Sequence, residues 1–465
     1  MTSKIVDLTA TEGHITVRAP AAGHAPEHAA HPTYRDVFGI AEFRALWLAQ
    51  LVSVVGDQLA RVALTVLVYD RTRSALLAAV TFMLSVVPVF VGGVTLAGLA
   101  DRFSRRGVMI ACDAFRCALV VLMALPGVPL AVLVTLLAVV TLASAPFTAA
   151  RAAIYPDVLA GEKYAAGTAI TLTTNQFAQV AGFAAGGAAV GLLGVRSSLI
   201  VDAATYAASA VIVRCWVRAR PHPPQAKPAA RPAAAGPEAA GPEAGPEAAG
   251  PAAAGPAAGQ EPASPAADGF IGATLMVLRS PATRLPMLFG WLAAFYNAAE
   301  GVAAPLGASF GGGALTVGAI LAAQALGETV GMLAFGRLVR PATRLRLMGP
   351  LAVATCGVLI LFAAGPALAA ALAILFASGA FGAYQIAANA AFVSAVPGAR
   401  RARAFGLAQG GMSLGQGTIM VLAGAAALHF APATVVAVAG AAGALCAAGV
   451  AASWMRSRKA AAPGD

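Results

Sequence analysis

Apolar runs close to ~20 residues long dominate this sequence and decide what it can fold into, because a helix of that length crosses the hydrocarbon core of a membrane. Six runs precede residue 218 and six follow residue 284. They cover residues 43–69, 75–100, 107–126, 129–152, 165–192, 197–217, 285–310, 314–338, 347–365, 367–392, 402–428 and 432–454. Of the 465 residues, 59% are apolar and 11% are charged, which excludes an ordinary soluble domain. Strand-like alternation is weak, so the sequence predicts an all-α membrane protein and not a β-barrel.

A segment rich in Pro, Ala and Gly separates the two sets of runs. It repeats the tetrapeptide Gly-Pro-Glu-Ala from Gly236, Gly241 and Gly245, and such a composition cannot pack a core. A short interfacial helix is predicted just after it, at residues 270–278. The predicted units are a disordered cytoplasmic tail (1–42), a six-helix bundle (43–218), a flexible cytoplasmic linker (219–268), a second six-helix bundle (269–456) and a cytoplasmic tail (457–465).

The distribution of Lys and Arg predicts the orientation of the chain. Basic residues cluster in alternate loops, whereas the other loops hold little beyond Arg71, Arg73 and Arg196. Because basic loops stay in the cytoplasm, we expect both termini and the linker there, in a multi-pass protein of a bacterial inner membrane. The net charge of +11 therefore reflects topology, and we expect no nucleic-acid partner.

The two sets of helices resemble each other. Gly98 and Arg102 match Gly336 and Arg340 at an offset of 238 residues (336 − 98), and Arg106 matches Arg344 at the same offset. A duplicated six-helix unit has this property. Transporters use such duplications to form a substrate site between their halves near the membrane midplane.

The loop between the second and third helices carries a compact charged motif. It contains Gly98, Asp101, Arg102, Arg105 and Arg106. Glycine permits close backbone approach, the carboxylate can cap or pair at a helix end, and the arginines can anchor at an anionic membrane face. This loop resembles the signature of the major facilitator superfamily, and the resemblance implies a cytoplasmic gate.

The resemblance extends from about residue 40 to residue 456. Phe43, Arg44, Leu46, Trp47 and Gln50, followed by Gly56 and Asp57, resemble the first helix of the branch that holds drug, macrolide and siderophore exporters. The segment 182–187 is similar to the antiporter motif, with Phe183 in place of its proline, and ordinary packing of small residues is the alternative. In the second copy of the gate loop Val339 replaces the aspartate, so only the first copy is expected to lock the gate.

The resemblance implies a fold of twelve transmembrane helices in two pseudo-symmetric six-helix bundles. It also implies proton-coupled export of a small amphiphilic molecule, such as a drug, a macrolide-like compound or a siderophore, by alternating access. The alternatives are an importer or facilitator of the same fold, or a membrane sensor that does not transport. The expected partners are a small-molecule substrate, protons and the lipid bilayer, and the protein is expected to act as a monomer.

Charged residues inside the apolar runs are costly and therefore require a partner or a function. Asp57 and Arg61 lie four apart in the first helix and are predicted to pair. Asp113 and Arg116 lie three apart and are predicted to form a structural ion pair. Asp202 is predicted to have a packing or capping role.

Two glutamates stand near the middle of their runs with no basic residue within one helical turn. Glu300 and Glu328 are therefore candidates, with Asp57, for the proton-coupling group. The alternative for each glutamate is a protonated acid that hydrogen-bonds to a neighbouring helix.

Polar uncharged residues within the runs are candidates for the substrate cavity, and each alternatively forms a hydrogen bond between helices. They are Gln50, Asn175, Gln176, Gln179, Tyr296, Asn297, Gln324, Tyr384, Gln385 and Asn389. The sequence contains no phosphate-binding loop and no cluster of metal ligands, so no cofactor, no metal and no enzymatic activity are expected.

Overall fold

The structure is a computed structural model that describes residues 34–96, 98–220, 270–397 and 401–461. Every regular element in these residues is a helix. The first half contains Tyr34–Phe38, Ala41–Thr72 (TM1), Ala75–Leu84 and Val87–Thr95 (TM2), Leu99–Arg102, Arg105–Met123 (TM3), Leu130–Val158 (TM4) and Glu162–Trp216. The second half contains Phe270–Arg279, then Pro281–Trp291, Ala293–Tyr296, Ala298–Gly301 and Ala303–Ser309 (TM7), Ala314–Leu338 (TM8), Pro341–Gly357 with the 3₁₀ turn Val358–Ala364 (TM9), Leu368–Phe381 and Tyr384–Ala395 (TM10), Arg401–Ala426 (TM11) and Pro432–Ala461 (TM12).

Eight helices in the described residues are long and apolar enough to cross a membrane. One of them, Glu162–Trp216, has 55 residues, and at ~1.5 Å per residue it exceeds twice the ~30 Å thickness of the hydrocarbon core. It is interrupted at Gly194, whose φ of 79° and ψ of 168° are not helical, and so supplies TM5 (162–193) and TM6 (195–216). Three further segments complete the twelve that the sequence predicts. They are TM3, which carries four charged residues, TM7, which consists of four short helices, and TM11, which contains six glycines.

The ends of the twelve segments form two faces. We call the end that holds the loops near residues 103, 160, 340 and 396 the basic face, because most of the described arginines lie there. The other end, with the loops near residues 73, 127, 312, 366 and 430, is the opposite face. One buried cluster spans both halves, since it joins Val62 and Phe183 to Leu306 and Val317.

Glycines of TM5 bring three helices together. A Cβ on Gly182 would lie 2.8 Å from Gln58 Cβ, and one on Gly186 would lie 3.0 Å from Leu59 Cα, so both glycines face TM1. A Cβ on Gly187 would lie 2.8 Å from the Cα of Gly318 in TM8. Because glycine has no side chain, TM5 approaches TM1 closely at Gly182 and Gly186 and meets the backbone of TM8 directly at Gly187. TM5 therefore connects TM1 of the first half to TM8 of the second half.

The predicted boundaries of the units can be compared with the structure at three places. Residues 1–33, 221–269 and 462–465 lie outside the described residues, so the disorder expected there stays a prediction. The first tail was expected to run to residue 42, but Tyr34–Phe38 is a helix whose Val37 is buried against Phe43. Apolar side chains at its end supply the contacts that composition alone did not indicate. The short helix expected at residues 270–278 is present as Phe270–Arg279, and its place at the membrane interface stays a prediction. TM12 continues to Ala461, beyond residue 457, where the final tail was predicted to begin.

Candidate functional site

A cavity of about 540 Å³ lies between TM5 of the first half and four segments of the second half. Its wall runs from Phe392 and Phe405, next to the basic face, to Trp291 and Met412 deeper in the protein. The remaining wall residues are Leu172, Gln176, Pro286, Met287, Gly290, Met332, Gln385, Ile386, Ala388, Asn389, Ala408 and Gln409. Asn389 and Gln409 are exposed, so the cavity is not sealed. No residue in this wall is ionisable.

The aromatic side chains of the wall are held in place by contacts within the second half. The indole Nε1 of Trp291 donates to the carbonyl oxygen of Ala408 at 2.9 Å, which joins TM7 to TM11. Phe392 and Phe405 pack edge to face with ring centroids 5.4 Å apart, which joins TM10 to TM11. These contacts therefore hold the three aromatic rings of the wall in place.

Gln385 links the wall to the broken part of TM7. Its Nε2 donates to the carbonyl oxygen of Gly290 at 3.2 Å and lies 3.3 Å from the hydroxyl of Tyr384. Tyr384 is fully buried and donates to the carbonyl oxygen of Phe289 at 3.0 Å. Helix breaks leave backbone carbonyls without their usual donors, and these side chains satisfy two of them.

The predicted cavity residues separate into two groups. Asn389, Gln176 and Gln385 lie in the wall. The others lie outside the wall. Tyr296 and Tyr384 are buried beside Gln385, and Gln324 of TM8 donates to Asn297 of TM7 at 2.8 Å. Three more are half-buried in the first half: Gln50, Asn175 and Gln179. Sequence reasoning missed the aromatic and methionine part of the wall, because Trp, Phe and Met have no polar signal inside an apolar run.

Charged residues of the first half converge on one buried arginine. Arg116 of TM3 is 2% exposed, and its Nη2 donates to Asp57 Oδ1 at 2.6 Å and to the Tyr206 hydroxyl at 2.8 Å. Its guanidinium also stands 4.0 Å above the Tyr206 ring, and that hydroxyl donates to Asp57. Asp113 lies 3.4 Å from Arg116 Nη1. The group joins TM1, TM3 and TM6.

The expected pairing of Asp57 with Arg61 is wrong. Asp57 pairs with Arg116, whereas Arg61 Nη2 donates to the carbonyl oxygen of Ser85 at 3.1 Å. Ser85 lies at the break in TM2, where Pro88 supplies no N–H and its ring crowds the preceding turn. Sequence spacing shows only neighbours on one helix, so neither the partner from TM3 nor the open carbonyl was visible.

A small polar cavity of about 60 Å³ adjoins this group. Asp57, Arg61, Arg116, Asp202 and Tyr206 all lie in its wall. Asp202 is fully buried, and its Oδ1 accepts a hydrogen bond of 3.3 Å from Thr205. The predicted packing role of Asp202 omitted this neighbourhood, because its partners come from other helices.

The two candidate glutamates of the second half lie apart from the large cavity. Glu300 sits on the short turn Ala298–Gly301 of TM7, and Glu328 sits on TM8. Both are half-buried, and neither belongs to the wall of that cavity.

The gate loop fastens helices of the first half to one another. Arg105 Nη1 donates to Asp157 Oδ2 and to the Ala153 carbonyl oxygen, both at 2.8 Å, and Arg106 donates to the Arg214 carbonyl oxygen. Gly98 and Arg102 are exposed, and the side chain of Asp101 lies outside the described residues.

The second copy of the loop binds differently. Arg344 donates to the carbonyl oxygens of Val339 at 2.8 Å and Gly336 at 2.5 Å, within its own loop.

An ion pair on the basic face, which we call the clamp, was not predicted from the sequence. The carboxylate of Glu42 accepts two hydrogen bonds from the guanidinium of Arg220, at 2.6 and 2.9 Å. This hydrogen-bonded carboxylate raises the pKa of Arg220.

Two bundles with a cavity between them suggest a transporter, and a family comparison decides the matter. The model of the Major Facilitator Superfamily matches residues 46–370. The chain belongs to the Major Facilitator Superfamily. It is therefore a multi-pass membrane transporter, as the gate loop and first helix indicated. No curated protein shows significant sequence similarity to it.

Solved structures of this superfamily have the same fold. A bacterial homologue of the human lysosomal transporter Spinster, in an inward-facing and occupied conformation, is 15% identical with a TM-score of 0.59, over 90% of this chain and 96% of that one. The nucleoside transporter NupG is 14% identical with a TM-score of 0.62, over 88% and 98%. The POT family transporter PepTSo is 13% identical with a TM-score of 0.63, over 92% and 99%. At these identities the likeness concerns the fold alone.

Proposed function

We propose that this protein exports a small amphiphilic organic molecule, such as a drug, a macrolide-like compound or a siderophore, across a bacterial inner membrane by proton-coupled alternating access. The observation that carries the proposal is the cavity of about 540 Å³ between TM5 and the second half. Its apolar wall with scattered carboxamides suits an amphiphilic ligand, and its volume lies in the ~300–1,000 Å³ range of small-molecule sites.

The packing of the halves supports alternating access. TM5 and TM8 are in backbone contact at Gly187 and Gly318, near the opposite face. A Cβ on Gly417 of TM11 would lie 2.6 Å from Val87 Cγ2 of TM2, so these two helices also pack closely. The cavity wall includes Phe392 and Phe405 next to the basic face, which the distribution of Lys and Arg predicts to be cytoplasmic. Export then requires the glycine contacts to open while the basic face closes.

Asp57 is the first candidate for the proton carrier. Its side chain is 33% exposed, and it lies in the wall of the small polar cavity, so water can reach it. Protonation of Asp57 removes the charge that pairs with Arg116 and therefore releases TM1 from TM3. Glu300 and Glu328 remain candidates, because each is half-buried in a spanning segment and forms no ion pair with the described residues.

The test is efflux from proteoliposomes that carry an imposed proton gradient. The wild type is compared with Asp57→Asn, Glu300→Gln and Glu328→Gln, and Asp70→Asn is the matched control because Asp70 is an exposed acid at the end of TM1. We expect gradient-driven efflux that an uncoupler abolishes and that one of the three test substitutions reduces by at least ~tenfold, typical of the loss of an essential proton-transfer group.

The same assay separates the alternatives. Movement of substrate in the direction of the proton gradient identifies an importer, and gradient-independent equilibration identifies a facilitator. Folded protein that moves none of the probes favours a role without transport. Equal efflux by the wild type and all three carboxamide variants contradicts the proposed coupling.

A further inference from the structure

We propose that the large cavity selects uncharged molecules with a flat ring system and discriminates against organic cations of the same shape. This assignment rests on the proposed function in taking the cavity as the substrate site, but it concerns binding and is measured without transport. It starts from the chemistry of the wall. All sixteen wall residues are uncharged, so no carboxylate stands there to replace the water that a cation would lose.

The candidate carboxylates lie outside the wall of the large cavity. Asp57 lies in the wall of the separate small cavity, where Arg116 already neutralises it. Glu300 and Glu328 are absent from the wall of the large cavity. Aromatic faces attract cations, but this attraction is weaker than the hydration that a buried ammonium group gives up. The site therefore favours a neutral ligand.

Trp291 provides the surface on which a flat ring can stack. Its indole N–H is already bound to the Ala408 carbonyl oxygen, so the ligand meets the ring and not the donor. A Cβ on Gly411 would lie 2.5 Å from Trp291 Cε2, which shows how closely TM11 supports the ring. Met287, Met332 and Met412 line the same cavity, and their flexible thioethers can adapt to ligands of different outline.

Carboxamides provide the polar contacts. Gln176, Asn389 and Gln409 form no hydrogen bond with the described residues, so each has a free donor and a free acceptor. Because an amide side chain both donates and accepts, it can bind carbonyl, hydroxyl and amide groups. The ligand class is therefore a neutral polycyclic or macrocyclic compound with carbonyl or hydroxyl groups at its edge.

The experiment measures binding of two fluorescent probes to purified full-length protein in nanodiscs. Acridone and 9-aminoacridine share a three-ring skeleton, but acridone is neutral and 9-aminoacridine is a cation at neutral pH. Binding is followed by fluorescence anisotropy. We expect acridone to bind at least ~tenfold more tightly, because the cation must lose its hydration in a wall without counter-charge. Equal or tighter binding of 9-aminoacridine overturns the proposal.

Variants locate the site. Trp291→Ala is expected to weaken acridone binding by about tenfold or more through the loss of stacking, whereas Trp291→Phe retains most of it. Trp47→Phe is the control, because Trp47 is outside the cavity and donates to Thr174. Gln409→Glu is nearly isosteric and exposed, and we expect it to raise affinity for 9-aminoacridine by about tenfold while acridone changes little. Acridone binding that Trp291→Ala leaves unchanged, or a Gln409→Glu variant without new preference for the cation, refutes the assignment.

The outcomes for binding and for transport are independent. Selective acridone binding that Asp57→Asn leaves intact, in a protein that shows no efflux, supports this site and contradicts the proposed function. Proton-driven efflux without the neutral preference does the reverse.

Discussion

Loss of the positive charge at Arg116 is expected to destabilise the first half strongly. The guanidinium is 2% exposed and contacts Asp57 at 2.6 Å, Tyr206 at 2.8 Å and Asp113 at 3.4 Å. Arg116→Gln leaves two carboxylates without their cation, and truncation of one partner in a buried pair typically costs about 3–5 kcal/mol. We expect a reduction of that size in the free energy of unfolding.

A double-mutant cycle isolates the contribution of the Asp57–Arg116 pair. The variants are Asp57→Asn, Arg116→Gln and their combination. Groups in direct contact show coupling energies of about 0.5–3 kcal/mol. Because the Asp57 side chain is 33% exposed and water screens part of the attraction, we expect about 2 kcal/mol rather than the upper limit.

Arg61 provides the matched comparison. It is the partner that helical spacing predicts for Asp57, but in the structure it donates to Ser85. The cycle of Asp57→Asn with Arg61→Gln should give no more than the ~0.2–0.5 kcal/mol of an ordinary pair four residues apart on a helix. Unfolding by sodium dodecyl sulfate in mixed micelles, followed by circular dichroism, measures both cycles. A larger coupling for Arg61 than for Arg116 would refute the described arrangement.

Three further predictions concern the helix contacts and the clamp on the basic face. Gly187→Ala should lower the free energy of unfolding by about 1–3 kcal/mol and abolish transport, since the added methyl group meets the TM8 backbone. Gly191→Ala places its methyl group in open space and should leave both the thermal melt and the efflux rate unchanged. Glu42→Gln should speed trypsin cleavage after Arg218 about threefold to fivefold, because Glu42 accepts a hydrogen bond from the Arg218 backbone N–H at 3.0 Å. Cleavage at this site can be recognised because every Lys or Arg at 219–269 precedes a proline, which blocks trypsin. Glu42 raises the pKa of Arg220 in the folded protein above its value in the unfolded chain. The stability that this shift contributes is therefore present below the unfolded pKa and is lost only as the pH rises through the folded pKa. Protection from trypsin should accordingly be equal at about pH 7 and pH 9.

The sequence predicted the fold well because membrane helices have a strong and local signal. Apolar length alone located the segments, and the structure differs at two boundaries, near Tyr34 and at the end of TM12. TM2 is broken at Ser85 and TM7 near Val302, and a proline follows each break by three residues. Pro88 and Pro305 have no backbone N–H, so each removes one hydrogen-bond donor from its helix. These breaks were readable from the proline positions but were not inferred.

The site was harder to predict, since its geometry depends on contacts between helices. Gln385 and Asn389 were identified by their polarity, but Trp291 was not, because an aromatic residue in an apolar run has the same pattern whether it packs in a core or faces a cavity. The partner of Asp57 lies 59 residues away in the sequence, so spacing on one helix gave the wrong arginine.

The ion-paired group around Arg116 and the large cavity occupy different halves, and TM5 both packs against TM1 and lines the cavity. The ion-paired group of Asp57 and Arg116 belongs to the first half, whereas all but two of the cavity wall residues belong to the second. Gly182 and Gly186 place TM5 against the TM1 turns that flank Asp57, and Gly187 places it against TM8. Gly182 and Gly186 have no side chain that could absorb a displacement at these close contacts, so we expect a movement of TM1 to shift TM5 as well. Under the proposed mechanism, protonation of Asp57 therefore reaches the cavity through TM5 and requires no contact between the proton and the ligand. We expect Asp57→Asn to change the distance between spin labels on TM5 and on TM11, which both line the cavity, and an unchanged distance would contradict this route.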